Sequence, residues 1–485
     1  MSTVAASTVA SRRVIVVDLD HTLIKSDSLH EQLARFVFRK PKLLPQLALA
    51  LFQGKAAFKA FCADHIVLDP ENLHTCADIL GFLHDEAERG SHIVLCTAAD
   101  RRIAQSVADH LGIFDEVIAT HDGINLKGDA KARLLAQRFP DGFIYAGDHA
   151  ADLSVWALAD GIVLAGASAQ VARRARKLGK PVIAEFRPHA ERPSPLRTWP
   201  RALRVHHWSK NVLMFVPLIL GHDWGNVGLI LQTLAGFCLL LLMTSSSYLI
   251  NDLADLDADR RHPTKRFRPI ASGAIPLMHA MVVPIVLIPL VLLAATLLSP
   301  AFAATLVAYL AITLAYSFGL KRIPLLDTFI IAALFTLRLV MGIALLGVSA
   351  PIWLLTFSMF FFFSLATAKR HTEIVQARQF KGGVLKARGY EVDDWPLTLA
   401  FGIGAGLGSL IILVLYMVEE AFRIVGYSRP QYLWAIALMV AIWLGRIWLL
   451  THRGKMLDDP VSFALRDWPS RGLAVFVALF FLIAL

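Results

Sequence analysis

The sequence predicts a chain in two parts: an α/β doubly wound N-terminal domain with a helical cap, then an all-α polytopic membrane domain of about nine transmembrane helices. Three observations carry this. Residues 1 to about 190 are mixed in character, whereas the remainder is dominated by long apolar runs, so the 56% hydrophobic content averages two unlike halves. In the first half, short apolar segments rich in β-branched residues end in acids or a threonine, the pattern of buried parallel strands that deliver side chains at their carboxyl ends. In the second half, Lys and Arg crowd into alternate loops, as a membrane topology requires.

Taken in order, Arg13 to Asp20 (RVIVVDLD) reads as a first strand, His92 to Cys96 (HIVLC) as a second ending at Thr97, and Phe143 to Ala146 as a third ending in GDHAAD. Helical patterns separate them, which places a site at the strand ends. Helical segments from about 28 to 89 read as an inserted cap, within which LLPQLALALF (43–52) is unusually apolar. That segment is expected to be a buried cap helix, the alternative being a face resting on a bilayer. Met1 to Ser11 is small and polar, so no secretory signal is expected there. The four cysteines, Cys62, Cys76, Cys96 and Cys238, have no metal-like spacing and suggest a reducing compartment. Residues 187–200, with several prolines and arginines, read as a linker between a domain at 1–186 and another at 201–485.

Apolar spans lie near 211–221, 228–250, 279–299, 302–318, 326–347, 351–368, 397–418, 432–450 and 470–485. The loops 251–278, 319–325, 369–396 and 451–469 hold Arg260, Arg261, Lys265, Arg266, Arg268, Lys321, Arg322, Lys369, Arg370, Arg378, Lys381, Lys386 and Arg388. GHDWGN, SPAFAA and GVSAPI hold no Lys or Arg, and 419–431 holds Arg423 and Arg429. The expectation is a multi-pass protein of the cytoplasmic (inner) membrane, with the charged loops and the N-terminal domain in the cytoplasm. The formal charge of +10 follows this topology, which argues against a nucleic-acid partner. The pattern fixes no oligomeric state.

The chemistry concentrates in Asn251 to Gly273, NDLADLDADRRHPTKRFRPIASG, at the end of an apolar run. If the helix continues, Asp252, Asp255 and Asp259 stand at i, i+3 and i+7 on one face, with Asn251 at its edge and Asp257 turned away. Three carboxylates at a membrane edge repel one another unless cations bridge them. Mg²⁺ takes a few carboxylates, waters and phosphate oxygens, so this is a candidate metal–diphosphate site; a solvated juxtamembrane charge run is the bland alternative.

Two resemblances add to this. DLDHT at Asp18, Thr97 after a strand, Lys131 in KGDAKARLL and GDHAAD at Asp148 resemble the four motifs of haloacid-dehalogenase-type phosphatases over about residues 12–185. The resemblance implies Asp18 as nucleophile, Asp20 as general acid and base, Thr97 and Lys131 (with Lys127 a weaker candidate) on the phosphoryl group, and Mg²⁺ held by Asp18, Asp20, Asp148 and Asp152. A degenerate docking module is the alternative. NDxxDxxxD at 251–259 resembles the first aspartate-rich motif of the UbiA superfamily of intramembrane prenyltransferases. ADRRHPTKRFRPIASG, RVHHWSKN (204–211) and YSFGLKRIPLLD (316–327) are similar to its decaprenyl-phosphate phosphoribosyltransferase branch. That branch implies phosphoribosyl diphosphate as donor, polyprenyl phosphate as acceptor, and Mg²⁺ at Asn251, Asp252, Asp255 and Asp259.

The usual second DxxxD-like motif is missing, since Asp327 is followed by TFIIAAL. Around it stand Tyr316, Lys321, Arg322 and Arg338, with Lys369 and Arg370 at the end of another span. Fewer acids and more cations suit a donor with an extra phosphate. Lys210, Lys265, Arg266 and Arg268 are the further candidates for donor phosphates. The expected chemistry is phosphoribosyl transfer to the lipid, followed by removal of the 5-phosphate by the fused phosphatase. An aromatic prenyltransferase and a lipid carrier or transporter are the alternatives, favoured respectively by a robust second acidic motif and by acids at mid-membrane.

Overall fold

The computed structural model describes residues 12–120, 126–186, 194–221, 225–349, 352–379, 384–385, 388–419, 427–456 and 460–485. Lys381, Lys386 and Arg423, counted above among the loop cations, lie outside them, as do residues 187–193 of the expected linker.

The first half alternates strand and helix. Strand β1 (Val14–Val17) leads into the cap helices α1 (Ser28–Arg39), α2 (Leu44–Phe52) and α3 (Lys55–His65), and then into α4 (Ala77–Glu88). There follow β2 (His92–Asp100), α5 (Arg101–Leu111), β3 (Glu116–Thr120), α6 (Asp129–Arg138), β4 (Ile144–Gly147), α7 (Leu153–Leu158), β5 (Gly161–Ala165), α8 (Ala169–Arg176) and β6 (Val182–Phe186). The six strands are all parallel, in the order β3-β2-β1-β4-β5-β6. This is the doubly wound α/β arrangement expected. The order reverses between β1 and β4, and the crevice at that switch point is where such sheets bind ligands. Ile15, Val17, Ile93 and Leu95 pack on one face of the sheet and Val16, Val94, Tyr145 and Trp156 on the other, as strands covered on both sides must. Capping sets helix starts: Asp27 accepts the His30 N–H before α1, and Asp100 the Arg102 N–H before α5.

One expectation for the cap fails. Helix α2 buries only Leu47 and Ala50, while Leu49, Leu51 and Phe52 are 60%, 56% and 89% exposed. Its nine residues are apolar nearly all round, so one side remains uncovered after the other is packed.

The second half is helical. Helix α9 (Pro195–Ala202) precedes a 3-10 segment (Val205–Phe215), α10 (Val216–Leu220), α11 (Val227–Ala254) and the short α12 (Leu256–Arg261). Then come α13 (Leu277–Leu298), α14 (Pro300–Phe318), α15 (Leu326–Leu346), α16 (Ile352–Gln379), α17 (Trp395–Glu419), α18 (Leu433–His452), α19 (Pro460–Arg466) and α20 (Trp468–Ala484). Among the described residues, seven helices are long and apolar enough to cross a membrane: α11 and α13 to α18. The chain is a multi-pass membrane protein.

Two of the nine expected spans differ. The one near 211–221 is 3-10 structure followed by a five-residue helix. Its polar Asn211 is buried, donating to Thr244 Oγ1 at 3.3 Å and accepting from Arg338 Nε at 2.8 Å, which ties the segment to α11 and α15. The last, α20, has 17 residues, about 25 Å at 1.5 Å per residue. Close packing shows at Gly342, where a Cβ would stand 2.2 Å from the Met214 carbonyl oxygen.

By their contacts the residues form two compact units, Met1–Leu203 with Asp252–Val283, and Arg204–Asn251 with Pro284–Leu485. The acid-rich segment after α11 thus belongs to the same unit as the α/β domain.

Candidate active sites

The α/β domain collects its acids at the end of β1. Asp18 leaves the strand with its Oδ1 accepting the Leu19 N–H at 2.8 Å and the Lys131 ammonium at 3.1 Å. Lys131, in the first turn of α6, is buried and also donates to the Cys96 carbonyl at 3.1 Å and the Tyr145 hydroxyl at 2.8 Å. Burial alone would lower its pKa, but the Asp18 charge more than offsets this and keeps it cationic. Tyr145 donates its hydroxyl to Asp152 Oδ1 at 3.1 Å, and Asp152 Oδ2 accepts the N–H groups of Asp148 and His149 at 3.1 and 2.9 Å. Gly147 makes room for this: a Cβ there would stand 2.6 Å from Asp152 Oδ2.

Asp20 sits two residues on, its Oδ1 accepting the Ser28 N–H at 2.8 Å from the start of α1. Burial, then the charges of Asp27 and Asp18, push its carboxyl up to about 7. Such a group carries a proton to give at neutral pH, as a general acid must. Thr97 is fully buried on β2, with its Oγ1 accepting the Ala99 N–H at 3.1 Å. Lys127 is exposed just before α6.

Asp148 accepts from Thr22 Oγ1 at 3.4 Å, and burial followed by the charges of Asp152 and Asp18 raises it to about 8. Carboxylates that raise one another in this way call for a bridging cation, and the donor set fits Mg²⁺. Among the described residues no three His, Cys, Asp or Glu side chains close into a metal cage. Mg²⁺ does not demand one, because it commonly binds one or two carboxylates and completes its shell with water and substrate phosphate.

The acid-rich segment departs from the continuous helix expected. Helix α11 stops at Ala254, Asp255 adopts a non-helical conformation, and α12 restarts at Leu256. The break swings Asp259 round, so that Arg268 bridges it to Asp252, at 2.6 and 3.2 Å from the same Nη1. Asp255 stands at the junction and Asn251 in the last turn of α11. Burial raises the Asp259 carboxyl, against the pull of Arg268. A cation between Asp252 and Asp259 is the arrangement that a Mg²⁺–diphosphate pair needs, here made by an arginine. Lys265 and Arg266 lie exposed on the following 3-10 turn.

Within the helical unit, Asp327 is fully buried at the start of α15. Its Oδ2 accepts from Arg370 Nε at 2.6 Å, its Oδ1 from the Tyr390 hydroxyl at 2.6 Å, and Arg388 Nη1 approaches to 3.9 Å. Arg388 also donates to the Tyr316 hydroxyl. Lys321 lies on the 3-10 turn before α15, Lys369 beside Arg370 in α16, and Lys210 has its ammonium 5.8 Å from the Phe335 ring. Arg338 is engaged by Asn211 and by Tyr309, at 3.4 Å.

Sequence reasoning passed over several of these residues. Tyr145 lies in an apolar run and Tyr390 in a charged loop, and nothing in their local sequence marks their hydroxyls. Lys59, on cap helix α3, donates to the Ala98 carbonyl at 2.9 Å, just past Thr97. Burial lowers its pKa against the charges of Asp20 and Asp27. Only its place near a strand end, invisible in the sequence, marks it.

One chain thus carries an aspartate-centred crevice on a doubly wound sheet and a set of long apolar helices with an acid-rich loop. Residues 212–468 match the UbiA prenyltransferase family and residues 15–157 the haloacid dehalogenase-like hydrolases. The chain belongs to the UbiA prenyltransferase family and carries a haloacid dehalogenase-like domain at its N-terminus. It is 42% identical to an uncharacterized protein of Sinorhizobium fredii, over 97% of this chain and 91% of that one. It is 34% identical to the decaprenyl-phosphate phosphoribosyltransferase of Mycobacterium tuberculosis, over 55% of this chain and 87% of that one. A solved UbiA homolog from Archaeoglobus fulgidus, bound to DMAPP and Mg²⁺, matches with a TM-score of 0.45 at 18% identity, covering 59% of this chain and 99% of that one.

Proposed function

We propose that this enzyme transfers 5-phosphoribose from phosphoribosyl diphosphate to a polyprenyl phosphate, and that its hydrolase domain then removes the 5-phosphate, leaving polyprenyl-phosphoryl-ribose. The observation that carries the donor assignment is the state of Asp327. It is saturated by Arg370, Tyr390 and the nearby Arg388, so it offers no second metal carboxylate while the surrounding helix ends remain cationic. Cations in excess suit a donor with three phosphates better than a prenyl diphosphate with two. The name of the Mycobacterium tuberculosis relative supports the same branch.

In the first step the bond between ribose carbon 1 and the diphosphate breaks as a phosphate oxygen of the lipid bonds to that carbon. The acceptor is already anionic, so no general base is needed. Asp252, Asp255, Asp259 and Asn251 would hold Mg²⁺, which when bound offsets the charge of the departing diphosphate. Lys210, Lys265, Arg266 and Arg268 are the candidates for the donor phosphates, with Tyr316, Lys321 and Lys369 as further candidates, while Asp327 and Arg370 bond to each other.

In the second step Asp18 attacks the 5-phosphorus and forms an aspartyl-phosphate, while Asp20 gives its proton to the leaving ribose oxygen. Asp20 then takes a proton from the water that releases inorganic phosphate. Thr97 and Lys131 hold the phosphoryl oxygens, and Asp18, the Asp20 carbonyl, Asp148 and Asp152 would hold the second Mg²⁺. The Lys and Arg content of alternate loops supports a reading in which both steps occur on the cytoplasmic face of the inner membrane.

The test is incubation of membranes with labelled phosphoribosyl diphosphate and polyprenyl phosphate, with mass analysis of the lipid. The expected product is the ribosylated lipid without its 5-phosphate. Unlabelled lipid, or prenylation of 4-hydroxybenzoate from a prenyl diphosphate, would overturn the reading.

A further inference from the structure

Glu31, in the first turn of α1, is completely buried between two arginines. Arg35 donates to its Oε2 at 2.7 Å, and Arg260 of α12 grips both oxygens, at 3.0 and 2.8 Å. Arg260 donates further to the carbonyls of Asn72 at 2.8 Å and Ala271 at 3.2 Å. Arg35 and Arg39 each reach Asp257 at 2.6 Å, and His74 Nε2 lies 2.8 Å from the Ala271 carbonyl. The cap of the hydrolase domain is thereby bolted to the acid-rich segment from α12 to Ala271.

Arg260 directly follows Asp259, and Asp257 precedes it by two. The groups that face the cap therefore alternate with one that faces Arg268 and Asp252. In the same first turn Ser28 opens α1, and its N–H holds the Asp20 carboxylate. A buried ionic network is a weak source of net stability, and its best-attested use is to specify register.

We infer that the hydrolase cap positions the acid-rich loop of the transferase, with Glu31, Arg35, Asp257 and Arg260 as positioning residues that set where Asp259 and Arg268 stand. This rests on the assignment of Asp252, Asp255 and Asp259 to the transferase metal site. The hydrolase domain then has a second task besides hydrolysis, and transferase activity depends on the contact of Arg260 with Glu31, 229 residues upstream.

The test uses the full chain in detergent, with Glu31→Gln as the main variant. Amide hydrogen exchange of the EDTA-treated protein should be about tenfold faster over residues 256–273 in the variant, with β1 and β4 unchanged. In membranes, the Mg²⁺ concentration that half-saturates lipid labelling should rise about tenfold, while hydrolysis of a small phosphate ester persists. Arg260→Lys should fall between the two proteins. If β1 and β4 also exchange faster in Glu31→Gln, Asp257→Asn replaces it, since it removes one leg of the network and leaves the Glu31–Arg260 pair. Unchanged exchange over 256–273 in both variants overturns the inference, and so does faster exchange with an unaltered Mg²⁺ dependence. The exchange measurement does not depend on which donor is used, so a wild type that labels no lipid sinks the transferase reading separately.

Discussion

Tyr390 donates its hydroxyl to Asp327 Oδ1 at 2.6 Å and with the same oxygen accepts the Leu325 N–H at 2.8 Å. Leu325 has φ +64°, a left-handed conformation that costs a leucine about 1–3 kcal/mol unless its surroundings hold it. The tyrosine thus fixes both the carboxylate and the strained residue that starts α15. Tyr390→Phe should lower stability by about 1–3 kcal/mol, because the Leu325 N–H loses its acceptor and Asp327 loses a donor. Asp327→Ala should cost about 3 kcal/mol, since it removes the fully buried anion bonded to Arg370 at 2.6 Å and leaves that guanidinium with Glu373, at 2.5 Å. Denaturation of the detergent-solubilised protein measures both.

Asp252→Asn should reduce lipid labelling about a hundredfold or more, through loss of a metal carboxylate and of the Arg268 bridge. Hydrolysis of a small phosphate ester should persist. Wild-type-like labelling would show the acid cluster to be topological.

Asp18→Asn should leave lipid labelling intact and change the product, because an amide forms no aspartyl-phosphate. The lipid then accumulates with its ribose 5-phosphate attached, a difference read directly by mass. Lys131→Ala should give the same heavier product, having lost the ammonium that holds both Asp18 and the phosphoryl group. The same lipid mass from wild type and Asp18→Asn would assign the hydrolase some other substrate.

The pH dependence of the cap contact follows from Glu31. Burial would raise its carboxyl, but Arg260, then Arg35, override this and draw it down to about 2 from an ordinary 4.5. Asp257, Arg39 and His74 are the other ionisable groups in the contact. A depressed folded-state pKa means stability fully present above about 4.5 and lost as pH falls through about 2. The stability difference between wild type and Glu31→Gln should therefore be flat above pH 4.5 and shrink below it, as followed by thermal unfolding across that range.

Much of this protein is written locally. Strand residues such as Val14–Val17 are continuous apolar runs because a parallel sheet buries both faces, and the acids that follow must fall at strand ends. The membrane helices are legible for the same reason, since a bilayer demands about 20 apolar residues and confines cations to loops. Those constraints act on neighbours in sequence, so they leave a pattern there. Tertiary structure alone decided what each charge meets. Helix periodicity put Asp252, Asp255 and Asp259 on one face, yet the chain breaks at Asp255 and Arg268 gathers two of the three. Asp257 was read as turned away, but not that Arg35 and Arg39 receive it. Tyr390 beside Asp327 and Glu31 beside Arg260 join residues 63 and 229 positions apart. An ion pair or hydrogen bond depends on a distance of about 3 Å between side-chain atoms, which folding sets and local spacing does not record.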